Sequence, residues 1–371
     1  MSDSDRSADA QRAELAAAFD RSLDPLEEFE ATFEQRDIDP FRLFELDVLE
    51  TKDLGRRTLN GYYRTFRDWR EFMDEQCRHP ACPNEQHVKA FAWFQMDEKG
   101  NAASTVTNKF QQLNTAYKYW QDDPAFPHPQ DYNPFQLARS KLDLSDDGKK
   151  EPPRLAIEDL REVLDEVTHV RDRAVIACQL KLGLRATELC NIKLSEVTIE
   201  NAELQRHYPE MGTHSALTDI ENAVYIPHDR DGNKSRRPRL LPLDEELRRV
   251  LLRYLLTRPD TGAEWFFLSH TTYAQMHREY IADIWEDAFH PEYEESEDHA
   301  AVTSHFGRHR FTTYWRVEQD LNRELIKYMR GDTAGAGNIE ERGAIDDYIH
   351  TYYEDIEQIY RESIYKLNIL I

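Results

Sequence analysis

The stretch Leu182-Gly-Leu-Arg-Ala-Thr-Glu-Leu189 places an arginine two residues after a glycine, where one helical segment ends and another begins. Residues 171–182 are predicted to form a helix that Gly183 closes. Arg185 then opens the next helix, where its forked donors and the free backbone N–H groups suit a bound phosphate. Glu188, one turn later, is placed to hold Arg185 or to support the helix. Taken alone, this pattern is more often a surface arginine than a phosphate site.

Two later segments also carry basic residues with a possible role in chemistry. Lys234 follows a predicted turn at 231–233, and a lysine at a hairpin tip can project into a groove, although a solvated turn lysine is the commoner case. His305 and Arg308 are three residues apart and therefore share one face of a helix. Their convergence predicts a further phosphate contact.

Around these segments the apolar pattern is mainly helical. Ile157, Leu160, Leu164 and Val167 form one helical stripe, whereas residues 222–243 change to a strand-like period interrupted by a turn. We therefore predict a mainly α fold in which the second half contains a small antiparallel β-sheet or hairpin.

The first half of the chain is also helical, with aromatic residues at helical spacing in residues 58–73 and again near 88–94 and 110–120. The Pro- and charge-rich residues 143–154 are typical of a linker. We predict a flexible N-terminal arm over residues 1–22, a helical domain over 23–145, a linker over 146–154 and a second domain over 155–371.

Composition excludes several classes of protein and leaves others open. The 371 residues include only 13 glycines and no glycine-rich nucleotide-binding motif, so dinucleotide and P-loop enzymes are excluded. The net charge of −24 argues against nucleic-acid binding at low salt. However, the 47 basic residues comprise 34 Arg and 13 Lys, and such scarce lysine is expected of a salt-adapted protein. At about 1 M salt, charges more than about 3 Å apart are screened from each other. DNA therefore remains a possible partner.

No run of 18 apolar residues is present, and the first ten residues lack the apolar segment of an export signal. The four cysteines are too few for a disulfide scaffold. We expect a cytoplasmic protein without a membrane span. Cys77, Cys82, His79 and His87 do not have the spacing of common zinc sites, so no metal is predicted.

Taken together and in this order, the segments resemble the catalytic half of the tyrosine recombinase, or phage integrase, family, in a form typical of haloarchaeal integrases. Gly183-Leu-Arg-Ala-Thr-Glu-Leu189 matches the family's first arginine box, and Lys234-Ser-Arg-Arg-Pro-Arg-Leu-Leu-Pro-Leu243 resembles its hairpin in register. His305-Phe-Gly-Arg308-His309 matches the H-x-x-R-H box. Tyr348-Ile-His350 is similar to the tyrosine box. The resemblance covers about residues 155–371, and the first half is similar only as a helical, SAM-like core-binding domain.

The resemblance implies a catalytic set in which Glu188 supports the residues Arg185, Lys234, His305, Arg308, Asp332 and Tyr348. Two departures from the family pattern bear on it. Met329-Arg-Gly-Asp332 stands where the family has L-G-H or L-G-W, which puts the hydrogen-bonding role of Asp332 in question. An insertion at 333–343 leaves Tyr352 and Tyr353 as alternative nucleophiles to Tyr348.

The implied activity is site-specific cleavage and rejoining of double-stranded DNA through a 3′-phosphotyrosyl ester, with no cofactor and a tetramer on two DNA sites. A catalytically impaired DNA-binding relative and a type IB topoisomerase-like strand transferase are the alternatives. The apolar tail 364–371 either docks on a neighbouring subunit or folds back on its own domain. Basic residues on helix faces and near the hairpin are DNA-binding candidates: Arg56, Arg57, Arg64, Lys109, Lys118, Arg236 and Arg237.

Overall fold

The computed structural model describes residues 8–36, 39–52, 54–145, 150–235, 237–332 and 342–369, with their side chains except at 8, 9 and 342–351. The chain divides into two compact units, the first ending at Lys149 and the second beginning at Lys150. This division falls inside the segment 146–154 that the sequence predicts as a linker.

The first unit is helical. Its core is largely aromatic, since Trp69 on the fourth helix packs against Phe91 on the fifth and Trp120 on the sixth is also buried. The apolar spacing in the sequence predicted these three long helices. The helices are α1 (Ala8–Ala18), α2 (Glu30–Glu34), α3 (Pro40–Phe44), α4 (Arg56–Glu75), α5 (Glu85–Trp93), α6 (Ala103–Asp122) and α7 (Pro134–Arg139).

Within the predicted N-terminal arm, α1 is tied to the rest of the first unit by charge. Arg12 Nη2 lies 2.7 Å from the nearly buried carboxylate of Glu85, which also pairs with Lys89 and Lys141 at 2.7 Å. Leu15 and Phe19 remain largely exposed. The ion pair between Arg12 and Glu85 therefore holds α1 against the rest of the first unit.

The second unit is built around a central buried helix, α9, which packs against α12 and α14. Ten of the thirteen residues of α9 are buried, and these include the polar side chains of Arg171, Gln179 and Lys181, so the helix is enclosed on most of its faces. The helices are α8 (Ile157–Glu166), α9 (Val170–Leu182), α10 (Ala186–Cys190), α11 (Ala202–His207), α12 (Glu245–Thr257), α13 (Arg278–Tyr293), α14 (Ser304–Thr313), α15 (Arg323–Arg330) and α16 (Arg342–Ser363).

A three-stranded antiparallel sheet, in the order β1-β2-β3, covers one part of the second unit. β1 is Val197–Thr198, β2 is Ala223–Ile226 and β3 is Arg239–Pro242. Val224 pairs with Leu241 across the two longer strands. The predicted fold class, mainly α with a small antiparallel sheet, is thus confirmed, and the short β1 is the strand that the sequence pattern did not reveal.

The C-terminal tail folds back on its own unit. Ile364, Tyr365 and Leu367 are buried in the core of the second unit. The Glu246 carboxylate accepts the backbone N–H groups of Leu367 at 2.9 Å and Ile369 at 3.1 Å, so the tail is held by hydrogen bonds as well as by apolar packing. Of the two placements considered for the tail, this structure has the intramolecular one. No helix among the described residues is both long and apolar enough to cross a membrane.

Candidate active site

The junction between α9 and α10 positions Arg185. Gly183 caps α9 with a left-handed backbone, φ 63°, and a Cβ added there would lie 2.6 Å from the Phe311 ring. Leu184 is buried, so the next side chain, that of Arg185, faces the site with 24% of its surface exposed. The glycine thus sets the direction in which Arg185 leaves the core.

Glu188 caps α10 and holds Arg185 at two points. Its Oε2 accepts the Arg185 backbone N–H at 2.9 Å, and its Oε1 accepts Arg185 Nη1 at 2.9 Å. A carboxylate at this position satisfies an otherwise unpaired N–H at the helix start and neutralises the arginine beside it. Glu188 therefore both caps α10 and holds the Arg185 side chain.

Behind Arg185 lies a completely buried charge network. Glu188 accepts hydrogen bonds from the Ser235 hydroxyl and from Arg239 Nη2, the latter at 2.9 Å, and Arg239 also donates to Ser235 Oγ at 2.9 Å. Burial opposes ionisation of Glu188, but Arg239, Ser235 and the Arg185 N–H outweigh it and hold the pKa of Glu188 at about 2. The network therefore stays charged and fixes both arginines.

Arg308 enters the site from α14 and is almost completely buried. Its Nη1 donates to the Gly183 carbonyl at 2.8 Å, and its Nη2 donates to the Arg330 carbonyl at 2.9 Å. Burial, reinforced by the like charge of Arg185, lowers the pKa of Arg308 to about 9, so the guanidinium is charged at neutral pH. Two backbone carbonyls thus fix its direction.

Asp332 joins the two arginines. One carboxylate oxygen, Oδ1, accepts from Arg185 Nη2 at 3.0 Å and from Arg308 Nη2 at 2.8 Å. The other, Oδ2, lies 2.9 Å from Arg330 Nε, although that N–H is not directed at it. Arg185, which lies 147 positions before Asp332, and Arg308, which lies 24 positions before it, therefore converge on a single oxygen atom.

The turn before Asp332 admits only glycine. Gly331 caps α15 with φ 66°, and a Cβ there would lie 2.4 Å from both Arg239 Nη1 and Ser235 Oγ. Either feature alone disfavours another residue. The Arg-Gly-Asp segment therefore packs its backbone against the buried network and turns the Asp332 side chain towards the arginines.

Lys234 lies in the connection between β2 and β3 and is exposed. Its neighbours anchor that connection: Asn233 accepts from Asn191 Nδ2 at 2.9 Å, and Ser235 binds Glu188. Gly232 supplies the turn at φ 82°. The residues on both sides of Lys234 are thus attached through their side chains to the α10 region that carries Arg185.

His305 is one turn before His309 on α14, and both side chains are exposed. The two rings meet edge to face at 4.6 Å. Partial desolvation of the ring, together with the positive charges of His309, Arg308 and Arg185, lowers the pKa of His305, so the neutral imidazole is favoured. A neutral histidine at this place can accept or donate a proton near neutral pH.

The three candidate tyrosines lie on α16. The side chain of Tyr348 is outside the described residues, as is that of His350. Tyr352 stacks on Tyr328 with ring centroids 5.1 Å apart. Tyr353 is buried, its hydroxyl donates to Glu357 at 3.1 Å, and burial raises its pKa.

The DNA-binding candidates divide into exposed and internally paired residues. Lys109 lies 2.6 Å from Asp68 and donates to Gln95, which leaves its side chain only 13% exposed. Arg237 is partly buried, and Arg236 and residues 333–341 of the insertion are outside the described residues. The exposed candidates are Arg56, Arg57, Arg64 and Lys118.

Three parts of the site were not predicted from the sequence: Ser235, Arg239 and Arg330. The signal for Arg239 was present, because it is the one charge at the start of the apolar run Arg239-Leu-Leu-Pro-Leu243, and a charge in a buried strand needs a buried partner. Within the described parts of the chain, no group of three or more His, Cys, Asp or Glu residues is arranged to hold a metal ion.

Comparison with known proteins places this site in a family context. Residues 154–331 match the family model described as Phage integrase family. No curated protein sequence matches the chain significantly. The matched residues include Arg185, Lys234, His305 and Arg308.

Solved structures share the fold of both units. The Tn1549 transposon integrase in complex with a circular intermediate DNA is similar with a TM-score of 0.60 at 19% identity, over 85% of this chain and 95% of that one. A lambda integrase dimer bound to a core site gives 0.55 at 12% identity, over 88% and 96%. The XerH site-specific recombinase gives 0.51 at 15% identity, over 82% and 78%. At these identities the likeness shows a shared fold.

Proposed function

We propose that this protein is a site-specific DNA recombinase or integrase that cuts and rejoins double-stranded DNA through a covalent 3′-phosphotyrosyl intermediate. The observation that carries the proposal is the convergence of Arg185 and Arg308 on one oxygen atom of Asp332. Two fixed guanidinium groups aimed at a single oxygen suit a non-bridging oxygen of a phosphodiester.

The arginines supply the electrostatic part of the reaction. Attack on the phosphodiester adds negative charge to its non-bridging oxygens, and Arg185 and Arg308 would stabilise that charge. Both are fixed in advance, the first by Glu188 and the second by the Gly183 and Arg330 carbonyls. Stabilisation by side chains that are already in place costs little reorganisation during the reaction.

The tyrosine hydroxyl would supply the nucleophile. Its oxygen bonds to phosphorus as its proton leaves, the bond between phosphorus and the 5′ oxygen breaks, and Lys234 protonates that departing oxygen. His305, neutral because of its lowered pKa, would accept the proton that leaves the tyrosine hydroxyl. Rejoining reverses these steps when a 5′ hydroxyl of a partner strand attacks the ester, so no high-energy cofactor is required.

Tyr348 is the proposed nucleophile among the three candidates. Tyr353 is buried with a raised pKa, which disfavours its phenolate, and Tyr352 is stacked on Tyr328. Tyr348 lies one helical turn before Tyr352 on α16. The spacing Tyr348-Ile-His350 also fits the family's tyrosine box.

DNA is the proposed partner, and a tetramer is the proposed assembly on two sites. The lambda integrase tetramer bound to a Holliday junction, which is similar to this chain with a TM-score of 0.56 at 13% identity, supports this arrangement. The net charge of −24 further supports a salt-adapted protein that binds DNA in concentrated salt, where repulsion is screened.

The test is covalent trapping on DNA in molar KCl. Sequences that the protein binds are first selected from a random duplex library, then nicked so that the cleaved end diffuses away, and adducts are separated on a denaturing gel. We expect Tyr348→Phe alone to lose the adduct, with Tyr352→Phe and Tyr353→Phe as matched controls that each lose only a hydroxyl group.

Other outcomes separate the alternatives. An adduct lost with Tyr352→Phe or Tyr353→Phe would move the nucleophile. DNA binding without an adduct in any variant would favour a catalytically impaired DNA-binding relative, a possibility raised by the carboxylate at position 332. Relaxation of supercoils without preference for the selected sequences would favour a topoisomerase-like activity.

A further inference from the structure

The carboxylate of Asp332 lies where the proposed reaction needs a phosphate oxygen. Its Oδ1 receives one hydrogen bond from each of the two arginines, Arg185 and Arg308. A carboxylate and a phosphodiester are both anionic acceptors with similar oxygen geometry. In the structure, therefore, the chain itself supplies the anion between the arginines.

The Asp332 carboxylate and a phosphate oxygen cannot both accept the same N–H group of Arg308. A guanidinium Nη carries two N–H groups. On Arg308 Nη2 one is donated to the Arg330 carbonyl at 2.9 Å and the other to Asp332 Oδ1 at 2.8 Å. Since the side chain is only 3% exposed, a phosphate oxygen gains this donor only by replacing Asp332.

Asp332 is also free to leave more readily than the arginines. Its side chain is 29% exposed, and among the described residues its carboxylate is held by the side chains of Arg185, Arg308 and Arg330, so a change of rotamer releases it without moving the backbone. Arg185 stays attached to Glu188, and Arg308 stays attached to the Gly183 and Arg330 carbonyls. Removal of Asp332 should therefore leave the two guanidinium groups in place.

We propose that Asp332 is an internal competitor for the phosphate site and makes the site selective for a phosphodiester that bound DNA delivers over a free oxyanion. A free anion gains only the contacts of the site, and these must outweigh the loss of two charge-assisted hydrogen bonds to Asp332. DNA gains further contacts along its backbone, and these offset the displacement. The selectivity rests on the proposed function, whereas the competition at the arginines does not.

Calorimetric titration with inorganic phosphate tests the competition directly. Phosphate replaces KCl at constant ionic strength, and the wild type is compared with Asp332→Asn, Asp332→Ala and the control Asp260→Asn, which removes the same charge from an exposed site. We expect phosphate to bind both Asp332 variants at least about tenfold more tightly than the wild type, and the control to match the wild type. The gain should disappear when Arg185→Ala is added to Asp332→Asn.

Equal or weaker phosphate binding by the Asp332 variants would overturn the inference. The covalent-trapping assay gives a second test, because free phosphate should inhibit adduct formation more strongly in Asp332→Asn than in the wild type. Loss of the adduct in Asp332→Asn at unchanged DNA affinity would assign Asp332 a direct part in the chemistry and would also overturn it. If no variant forms an adduct while the phosphate contrast persists, the proposed function fails and the competition by Asp332 stands.

Discussion

Replacing Glu188 by glutamine removes the charge at the centre of the buried network. Glutamine keeps the size of the side chain, but its amide group presents N–H donors to neighbours that are themselves donors. Arg239, also completely buried, then loses its counter-ion. We expect the second unit to become markedly less stable and Arg185 to lose its fixed position.

The lowered pKa of Glu188 and the loss of a buried partner both indicate how large the loss of stability should be. The pKa of Glu188 is about 2 against an ordinary value of 4.5, and by linkage this difference is equivalent to about 3 kcal/mol at pH 7. Removing one partner of a buried ion pair typically costs about 3–5 kcal/mol. We therefore expect Glu188→Gln to lower the free energy of unfolding of the second unit by about 3 kcal/mol.

The contribution of Glu188 to the stability of the second unit should decrease as the pH is lowered. Because folding lowers the pKa of Glu188, its contribution is fully present well above pH 4.5 and is lost as pH falls towards 2. At pH 3 only about 1 kcal/mol of it should remain. The difference in stability between wild type and Glu188→Gln should accordingly shrink with acidification.

Urea unfolding of the full chain at pH 7, 4 and 3, followed by tryptophan fluorescence and fitted to two transitions, measures this difference. Glu245→Gln is the matched control, since Arg248 and Arg249 likewise hold the pKa of Glu245 at about 2, but its side chain is 53% exposed. Surface pairs contribute less than about 1 kcal/mol. Equal losses in the two variants, or a Glu188→Gln loss that does not change with pH, would refute the reasoning.

Three further outcomes are expected. Gly183→Ala should destabilise the second unit by about 2 kcal/mol or more in the same unfolding assay, because φ is 63° and the added Cβ meets Phe311; a loss below about 0.5 kcal/mol would contradict the capping role. Adduct formation should not fall between pH 8 and 7, since the pKa of His305 lies below its ordinary value of 6.5, and should fall only at lower pH; a decline that begins above pH 7 would argue against a neutral His305. In salt titrations of DNA binding, Arg64→Ala should reduce the slope of log affinity against log salt by about one. Lys109→Ala, which removes an internally paired lysine, should leave the slope unchanged. Equal slopes for the two variants would show that Arg64 does not contact DNA.

Local pattern was sufficient for much of the fold. The spacing of Phe66 and Trp69 in α4 and of Leu160 and Leu164 in α8 reflects the helical repeat directly, and the change of period near 222–243 indicated strands. The order of the boxes around Arg185 and Arg308 was readable for the same reason, because each box lies within a single turn or helix.

The placement of the C-terminal tail is a feature of the fold that the local sequence pattern could not predict. Its apolar residues indicated burial but not the surface that buries them, because the hydrophobic effect has no direction. The intramolecular placement depends on Glu246, more than 120 residues earlier, whose carboxylate accepts two N–H groups of the tail. No spacing within the tail encodes that partner.

The sequence by itself determined which residue types are available to the site: two arginines, a lysine, a histidine and tyrosines, each in a recognisable local setting. Only the tertiary structure decided that Arg239 and Ser235 neutralise and brace Glu188, and that Asp332 lies between Arg185 and Arg308. The physical reason is that hydrogen bonds and ion pairs act over about 3 Å in space. These partners are separated by 24 to 147 residues along the chain, and only the packing of α9, α14 and β3 brings them within that distance.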